Sequence, residues 1–232
     1  MVDESKLIFF TGAPGSKWSA TAHVLTYNQI CTINTSDYRE DRYYEHPNPP
    51  VAHQGAYWGP GFEFGNKFHE INTLSKEQIL AEIDAAYEDK SWDKYRIIKC
   101  HQFSLNLDWI KENFPTSKIM IVLRPEYQCI NGWLTAGGGN GFSGITYPDY
   151  NPYYKDADTF KKEVNRESQA SKNFIEKYNL PVDLVRTQYW KDRWNIEKNT
   201  PDLELYIDSL ECSKKHNSKF WNYDVLIAEY NF

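Results

Sequence analysis

An α/β fold of three layers, with a parallel central sheet flanked by helices, is what this sequence predicts, and three observations predict it. Leu7-Ile8-Phe9-Phe10 is a short continuous apolar run that leads into Thr11-Gly12-Ala13-Pro14-Gly15, a buried strand ending in a tight loop. Lys118-Ile119-Met120-Ile121-Val122-Leu123 repeats that pattern and ends at Arg124. Segments of helical period lie between and beyond the two runs. Strands alternating with helices imply parallel pairing with both sheet faces covered. Ligands then collect at the carboxyl ends of the strands.

The elements follow in order. From Ser19 the pattern turns helical, with Ala22, Leu25 and Ile30 sharing a face and Val24 and Cys31 flanking it. Residues 38–70 hold most of the prolines and glycines of the first half and no sustained period, which reads as a long functional loop or insertion. Ser75 opens a helix, Gln78 completes a capping box, and Ile79, Leu80, Ile83, Ala86 and Tyr87 form its stripe. Residues 95–99 read as the second strand, followed by a short helix over 105–114 that Pro115 stops. A helix resumes over 126–134, and Gly137-Gly138-Gly139-Asn140-Gly141 breaks it. A long amphipathic helix spans 158–178 on Phe160, Val164, Phe174 and Ile175, and residues 182–185 read as a fourth parallel strand. No internal repeat and no low-complexity tract interrupts the pattern.

Composition sets the class. The 232 residues fit one domain, 1–232, with 41% hydrophobic and 25% charged side chains, enough to form a core without disulfides or metal. A net charge of −6 and a pI near 5.6 argue against a dedicated nucleic-acid binder, while leaving room for a local cationic pocket. The polar start and the four-residue apolar run after it are too short for a signal peptide or a membrane span. Cys31, Cys100, Cys129 and Cys212 form no CxxC pair and read as free thiols of a reducing compartment. The expectation is a cytoplasmic protein with neither membrane nor nucleic acid as partner; the sequence leaves its oligomeric state open.

Three strand ends carry chemistry. In Gly12-Ala13-Pro14-Gly15-Ser16-Lys17-Trp18-Ser19 the glycines let backbone N–H groups converge on an anion, and the helix that follows adds its positive end. Ser16 and Ser19 supply hydroxyls and Lys17 a full charge. The segment is not a Walker A loop, because Lys17 stands between Ser16 and Trp18 rather than in Gly-Lys-Ser/Thr. The same residues also suit an ordinary glycine turn. In Lys99-Cys100-His101, residues two apart at a strand end project to one side, so Lys99 and His101 can share a pocket. A neutral imidazole there suits a general base; the bland alternative is a histidine satisfied at the surface. Arg124 closes a buried strand, and Asn131 follows two helical turns on, which makes a second anion site. Nucleotide hydrolases usually place an aspartate at such an end to hold magnesium. Arg124 would repel a metal, so the anion is neutralised directly.

Together these segments resemble the PAPS-dependent sulfotransferase family, whose donor is 3′-phosphoadenosine-5′-phosphosulfate. Residues 7–19 resemble its 5′-phosphosulfate loop, Pro-Lys/Arg-Ser-Gly-Thr-Thr after a strand. Ile97-Ile98-Lys99-Cys100-His101 resembles its Ile-Lys-x-His stretch, and residues 118–133 its 3′-phosphate segment, Leu-Arg-Asn-Pro and then a helix bearing serine. Leu184-Val185-Arg186-Thr187-Gln188 adds a weaker likeness to a later strand and turn. The departures are specific. Gly15 stands at the usual basic position with the lysine two places later, and Trp18 replaces a small hydroxyl residue. No asparagine precedes Pro125, Asn131 stands where serine is expected, and no Arg-Lys-Gly or Gly-Asp-Trp-Lys stretch closes the chain.

The resemblance implies a P-loop-like sulfotransferase fold and transfer of a sulfuryl group to a hydroxyl or amine of a small-molecule or carbohydrate acceptor. It implies His101 as base, Lys17 or Lys99 on the leaving oxygen, Gly12, Pro14, Gly15, Ser16, Trp18 and Ser19 around the 5′-phosphate, and Arg124 with Asn131 on the 3′-phosphate. The product nucleotide is adenosine 3′,5′-bisphosphate, and no metal is required. Two other readings stand beside it: a P-loop small-molecule kinase, and a catalytically silent nucleotide-binding protein on the same fold. Tyr43, Tyr44, Tyr57, Trp58, Phe62 and Phe64 suit a stacking wall for the acceptor or simple packing of the loop. His46, His53 and His69 are loosely spaced for a metal site, with zinc the lesser alternative to plain loop residues. Residues 137–144 suit a lid or a plain surface loop.

Overall fold

Nine of the ten residues in Leu7–Phe10 and Lys118–Leu123 are apolar and leave no polar face to show to water, and the sheet is built accordingly. The computed structural model describes residues 2–32, 56–58, 71–87, 89–136, 156–185, 187–196 and 225–232. Most of the 38–70 segment, with its aromatics other than Tyr57 and Trp58 and its three histidines, lies outside the described residues, as do 137–155, Arg186 and Cys212.

Strands β1 (Leu7–Gly12), β2 (Ala56–Tyr57), β3 (Arg96–Lys99), β4 (Lys118–Leu123), β5 (Val182–Leu184) and β6 (Leu226–Tyr230) form one sheet in the order β2-β3-β1-β4-β6-β5. The first four run parallel, with Phe10 level with Lys99 on one side and with Met120 on the other. All of β1 and β3 and the middle of β4 are buried, so both sheet faces are covered, as parallel pairing requires.

The sheet is mixed, which corrects the expectation of an all-parallel one. β6, which the sequence did not announce, runs antiparallel to β4, and β5 pairs antiparallel with β6. β5 thus points the same way as β4 but is separated from it, because the last strand inserts between them.

Helices flank the sheet: α1 (Trp18–Tyr27), α2 (Lys76–Ala85), α3 (Leu107–Asn113), α4 (Glu126–Ala136), α5 (Ala157–Tyr178) and α6 (Thr187–Trp194). α1 stops before Ile30, and Cys31 instead bridges to Tyr95. α2 carries the expected capping box, Ser75 and Gln78 each accepting the other's backbone N–H. Its stripe buries Ile79 and Ile83 completely. The helix expected over 105–114 is two elements, a 3-10 turn over His101–Asn106 and then α3. Asp156 caps α5, and Asn179 closes it in the left-handed conformation.

The connection after β1 leads toward β2 at one edge, and the connection after β4 leads to the other edge. Carboxyl ends of adjacent strands whose connections diverge leave a crevice between them. Gly12 and Val122 face each other across it.

Candidate functional site

The loop after β1 is shaped by two left-handed residues. Ser16 N–H donates to the Ala13 carbonyl at 2.9 Å, closing a turn with Pro14 and Gly15 at its corner, and Gly15 has φ +81°. Only glycine takes that angle freely, and a Cβ there would also sit 2.0 Å from the Cys129 carbonyl oxygen of α4. Lys17 caps α1 with φ 72°, a strained angle for lysine. Strain of this kind persists where the surroundings over-determine it, and it clusters at binding sites.

Inside the loop the Ser16 hydroxyl is buried and finds no hydrogen-bond partner among the described residues. It lies against Gly12, where an added Cβ would come within 2.6 Å of it. Lys17 is half-buried, and burial together with the Arg124 charge lowers its pKa from the usual lysine value. Two cations and an orphaned hydroxyl beside a ten-residue helix N-terminus form a site suited to an anion. Ser19 is the second residue of α1.

Arg124 belongs to the same cluster. Its Nη1 donates to the Gly15 carbonyl at 2.8 Å, and its Nε donates to Gln128 Oε1 at 3.0 Å. It is 5% exposed, lying beside Gly132, where a Cβ would meet Nη1 at 3.0 Å. The guanidinium therefore braces the first loop as well as ending β4. Asn131, on α4, is exposed while Arg124 is buried.

His101 is 3% exposed and opens the 3-10 turn after β3. Its Nδ1 lies 2.6 Å from the Gly12 carbonyl, and a carbonyl only accepts, so Nδ1 carries the proton and Nε2 is the unprotonated nitrogen. Thr11 and Ser104 hydroxyls donate to the His101 carbonyl at 3.0 and 2.9 Å, holding its backbone as well. Burial, reinforced by the Lys99 charge and opposed by the Gly12 hydrogen bond, brings the imidazole pKa down to about 4. At neutral pH the ring is unprotonated, the form a base requires.

Trp18 gathers the rest. Its indole lies 4.1 Å from the His101 ring, centroid to centroid, and Lys99 Nζ lies 5.8 Å from its centre. Lys99 and His101 do converge, on the face of an aromatic ring. Trp133 of α4 stands edge-on to His101 at 6.2 Å and stacks on Phe160 of α5 at 5.6 Å.

Gln102, Gln128 and Trp133 were not singled out from the sequence. Gln128 follows Arg124 by four residues, a spacing that places side chains together at a helix start. Gln102 and Trp133 carry no such signal. An open pocket between α3 and α5, lined in part by Asn106, Asp108, Asn173 and Lys177, does not include the loop. Among the described residues no helix is long and apolar enough to cross a membrane. Comparison with protein-family models, with curated proteins and with solved structures finds no match.

Proposed function

We propose that this protein transfers a sulfuryl group from PAPS to a hydroxyl or amine acceptor, on a sulfotransferase-like P-loop fold. The observation that carries the reading is the 2.6 Å contact of His101 Nδ1 with Gly12, the first residue of the anion loop. It ties a neutral base to the loop that in this reading holds the donor's charge, and it leaves Nε2 as the basic nitrogen.

In this reading His101 Nε2 takes the acceptor's proton as the acceptor oxygen bonds to sulfur and the bond from sulfur to the 5′-phosphate oxygen breaks. Adenosine 3′,5′-bisphosphate leaves. Lys17 and the N–H groups of residues 15 and 17–19 stabilise charge on the leaving oxygen, the dominant contribution when the transition state is loose. Lys99, fully buried at the end of β3, adds positive potential from below. Arg124 serves the 3′-phosphate and the loop at once, and Asn131 reaches the nucleotide from the solvent side of α4.

Label transfer from PAPS to a mixed library of hydroxyl compounds tests the reaction. His101→Ala lowers turnover by about two to four orders of magnitude, and unchanged turnover removes the base from His101. Arg124→Ala weakens adenosine 3′,5′-bisphosphate more than AMP by calorimetry; equal losses place the 3′-phosphate elsewhere. A nucleotide-binding protein without turnover is the second reading, favoured by the deep burial of His101 and Arg124. Bisphosphate binding without transfer to any acceptor selects it. Magnesium-dependent stabilisation by ATP would select a kinase instead.

A further inference from the structure

The His101 turn is fastened to α5 by a buried polar cluster that the reaction above does not use. Gln102 directly follows His101 and is 3% exposed. Its Nε2 donates to Glu167 Oε1 at 2.6 Å and also to Glu163 Oε1. An amide nitrogen has two hydrogens, so both are consumed, one on each carboxylate. Arg166 closes the cluster from the same helix, donating to Glu163 at 2.7 and 2.9 Å and approaching the Gln102 oxygen at 3.4 Å.

Two carboxylates this close do not both ionise in a dry interior. Glu163 has the Arg166 charge, while Glu167 is 0% exposed and its Oε2 finds no hydrogen-bond partner among the described residues. Burial and the neighbouring Glu163 raise the Glu167 pKa well above the usual value, with Arg166 opposing. The other titratable groups bearing on Glu167 are the buried thiols Cys100, beside the His101 turn, and Cys129 of α4. Farther along α5, Lys172 pairs with Glu126 of α4 and Lys177 with Asp108 of α3. The cluster thus combines one ion pair, one buried carboxyl biased toward its protonated form and one bridging amide.

An amide bridge is a costly way merely to join a turn to a helix, since a leucine would bury more apolar area without polar desolvation. What the bridge adds is direction. Hydrogen bonds at two points fix the Gln102 side chain, and with it the backbone that sets the plane of the neighbouring imidazole.

We propose that Gln102 is a positioning residue for His101, its amide spanning Glu163 and Glu167 so that the imidazole keeps Nδ1 on Gly12 and Nε2 unprotonated. The catalytic consequence rests on the reading of His101 as base; the structural consequence does not. The test is therefore made on the unliganded full-length protein, by NMR of 15N-labelled histidine, with His101→Gln used to assign the signals. In the unsubstituted protein His101 shows the Nδ1–H tautomer and titrates near 4. Gln102→Asn keeps a buried amide but is one methylene too short to reach both carboxylates. It gives a mixed tautomer, and because the Gly12 hydrogen bond holds the imidazole pKa up against burial, loosening that bond moves the midpoint further down, away from 6.5. Gln102→Leu does the same, and if that variant does not fold, Gln102→Asn decides alone. Glu167→Gln keeps an oxygen for the amide N–H and retains the tautomer.

If Gln102→Asn leaves both tautomer and midpoint unchanged, the positioning role is overturned. In turnover the same variant lowers kcat about 10- to 100-fold with the donor KM unchanged. NMR changes in a protein that transfers no sulfuryl group defeat the proposed reaction and leave the positioning role. Transfer with unchanged NMR does the reverse.

Discussion

His101 and Glu167 are buried to nearly the same extent, and the protonation state each prefers in the fold is the neutral one. Their effects on stability run in opposite directions with pH. Because the folded His101 pKa falls to about 4, the unfolded chain takes up its proton first. The stability His101 contributes is complete above about 6.5 and is lost as pH falls toward 4, by about 3 kcal/mol. Glu167 is shifted upward, so its contribution is complete below the usual carboxylate value and is lost as pH rises. Where both titrate, above the usual carboxylate value, the two slopes oppose each other. Glu167→Gln imitates the protonated acid, so it raises the melting temperature by several degrees at pH 8 and leaves it nearly unchanged at pH 4. An equal gain at both pH values would mean that Glu167 is not the group titrating. His101 was legible in the sequence from its place two residues after Lys99, whereas the depth of its burial was not. Glu167 stands seven residues after Phe160 and three after Val164, on the apolar stripe of α5. A carboxylate on such a stripe was the available signal for the cluster.

At the scale of elements, the loop between β1 and α1 combines a glycine that only glycine can replace with a lysine whose backbone resists its own geometry. Gly15 is locked by the Cys129 carbonyl, and Lys17 is held left-handed at the cap of α1. The sequence shows Lys17 two places later than the sulfotransferase loop would have it. The structure gives the displacement a geometry, since the turn at Gly15 is followed by a second left-handed residue. Backbone and charge can be separated here by two substitutions that remove the same ammonium group. Lys17→Ala keeps the strain, and Lys17→Gly relieves about 1–2 kcal/mol of it while adding about 0.4–1 kcal/mol of unfolded-chain entropy. The glycine variant is thus the more stable of the two by about 0.5–1 kcal/mol in urea melts. Both lose turnover by a similar factor, about 10²–10³, if the charge rather than the backbone stabilises the leaving oxygen. A glycine variant that regains activity would assign the role to the backbone N–H groups. Capping was fully legible in Ser75 and Gln78, because it needs only local sequence. The 3-10 turn at His101–Asn106 was not, because long-range bonds to Thr11, Glu163 and Glu167 shape it.

Across the whole molecule, the parallel strands were legible because burial on both faces writes a continuous apolar run, as in β1 and β4. β6 carries Glu229 in its middle, and its direction depends on a connection whose course no local pattern encodes. Its pairing with β4 places Glu229 level with Met120, in the middle of β4 and two residues before Val122. There Glu229 accepts from Tyr189 and from Arg193, tying α6 to the sheet. The polar tie thus lies one strand beyond β4 and shares no hydrogen-bond partner with the candidate site among the described residues. Glu229→Ala leaves the Tyr189 hydroxyl buried without its acceptor but leaves Arg193 partly exposed to water, so the loss is about 2 kcal/mol rather than that of a stranded buried charge. Sites with no shared partner add independently once they are more than about 7–10 Å apart. Glu229→Ala should therefore lower the urea midpoint while the dissociation constant of adenosine 3′,5′-bisphosphate, read by calorimetry well below the transition, stays within about twofold. A matching loss of affinity would show that the antiparallel edge and the β1–β4 crevice behave as one cooperative unit, and that the site is not carried by the parallel strands alone.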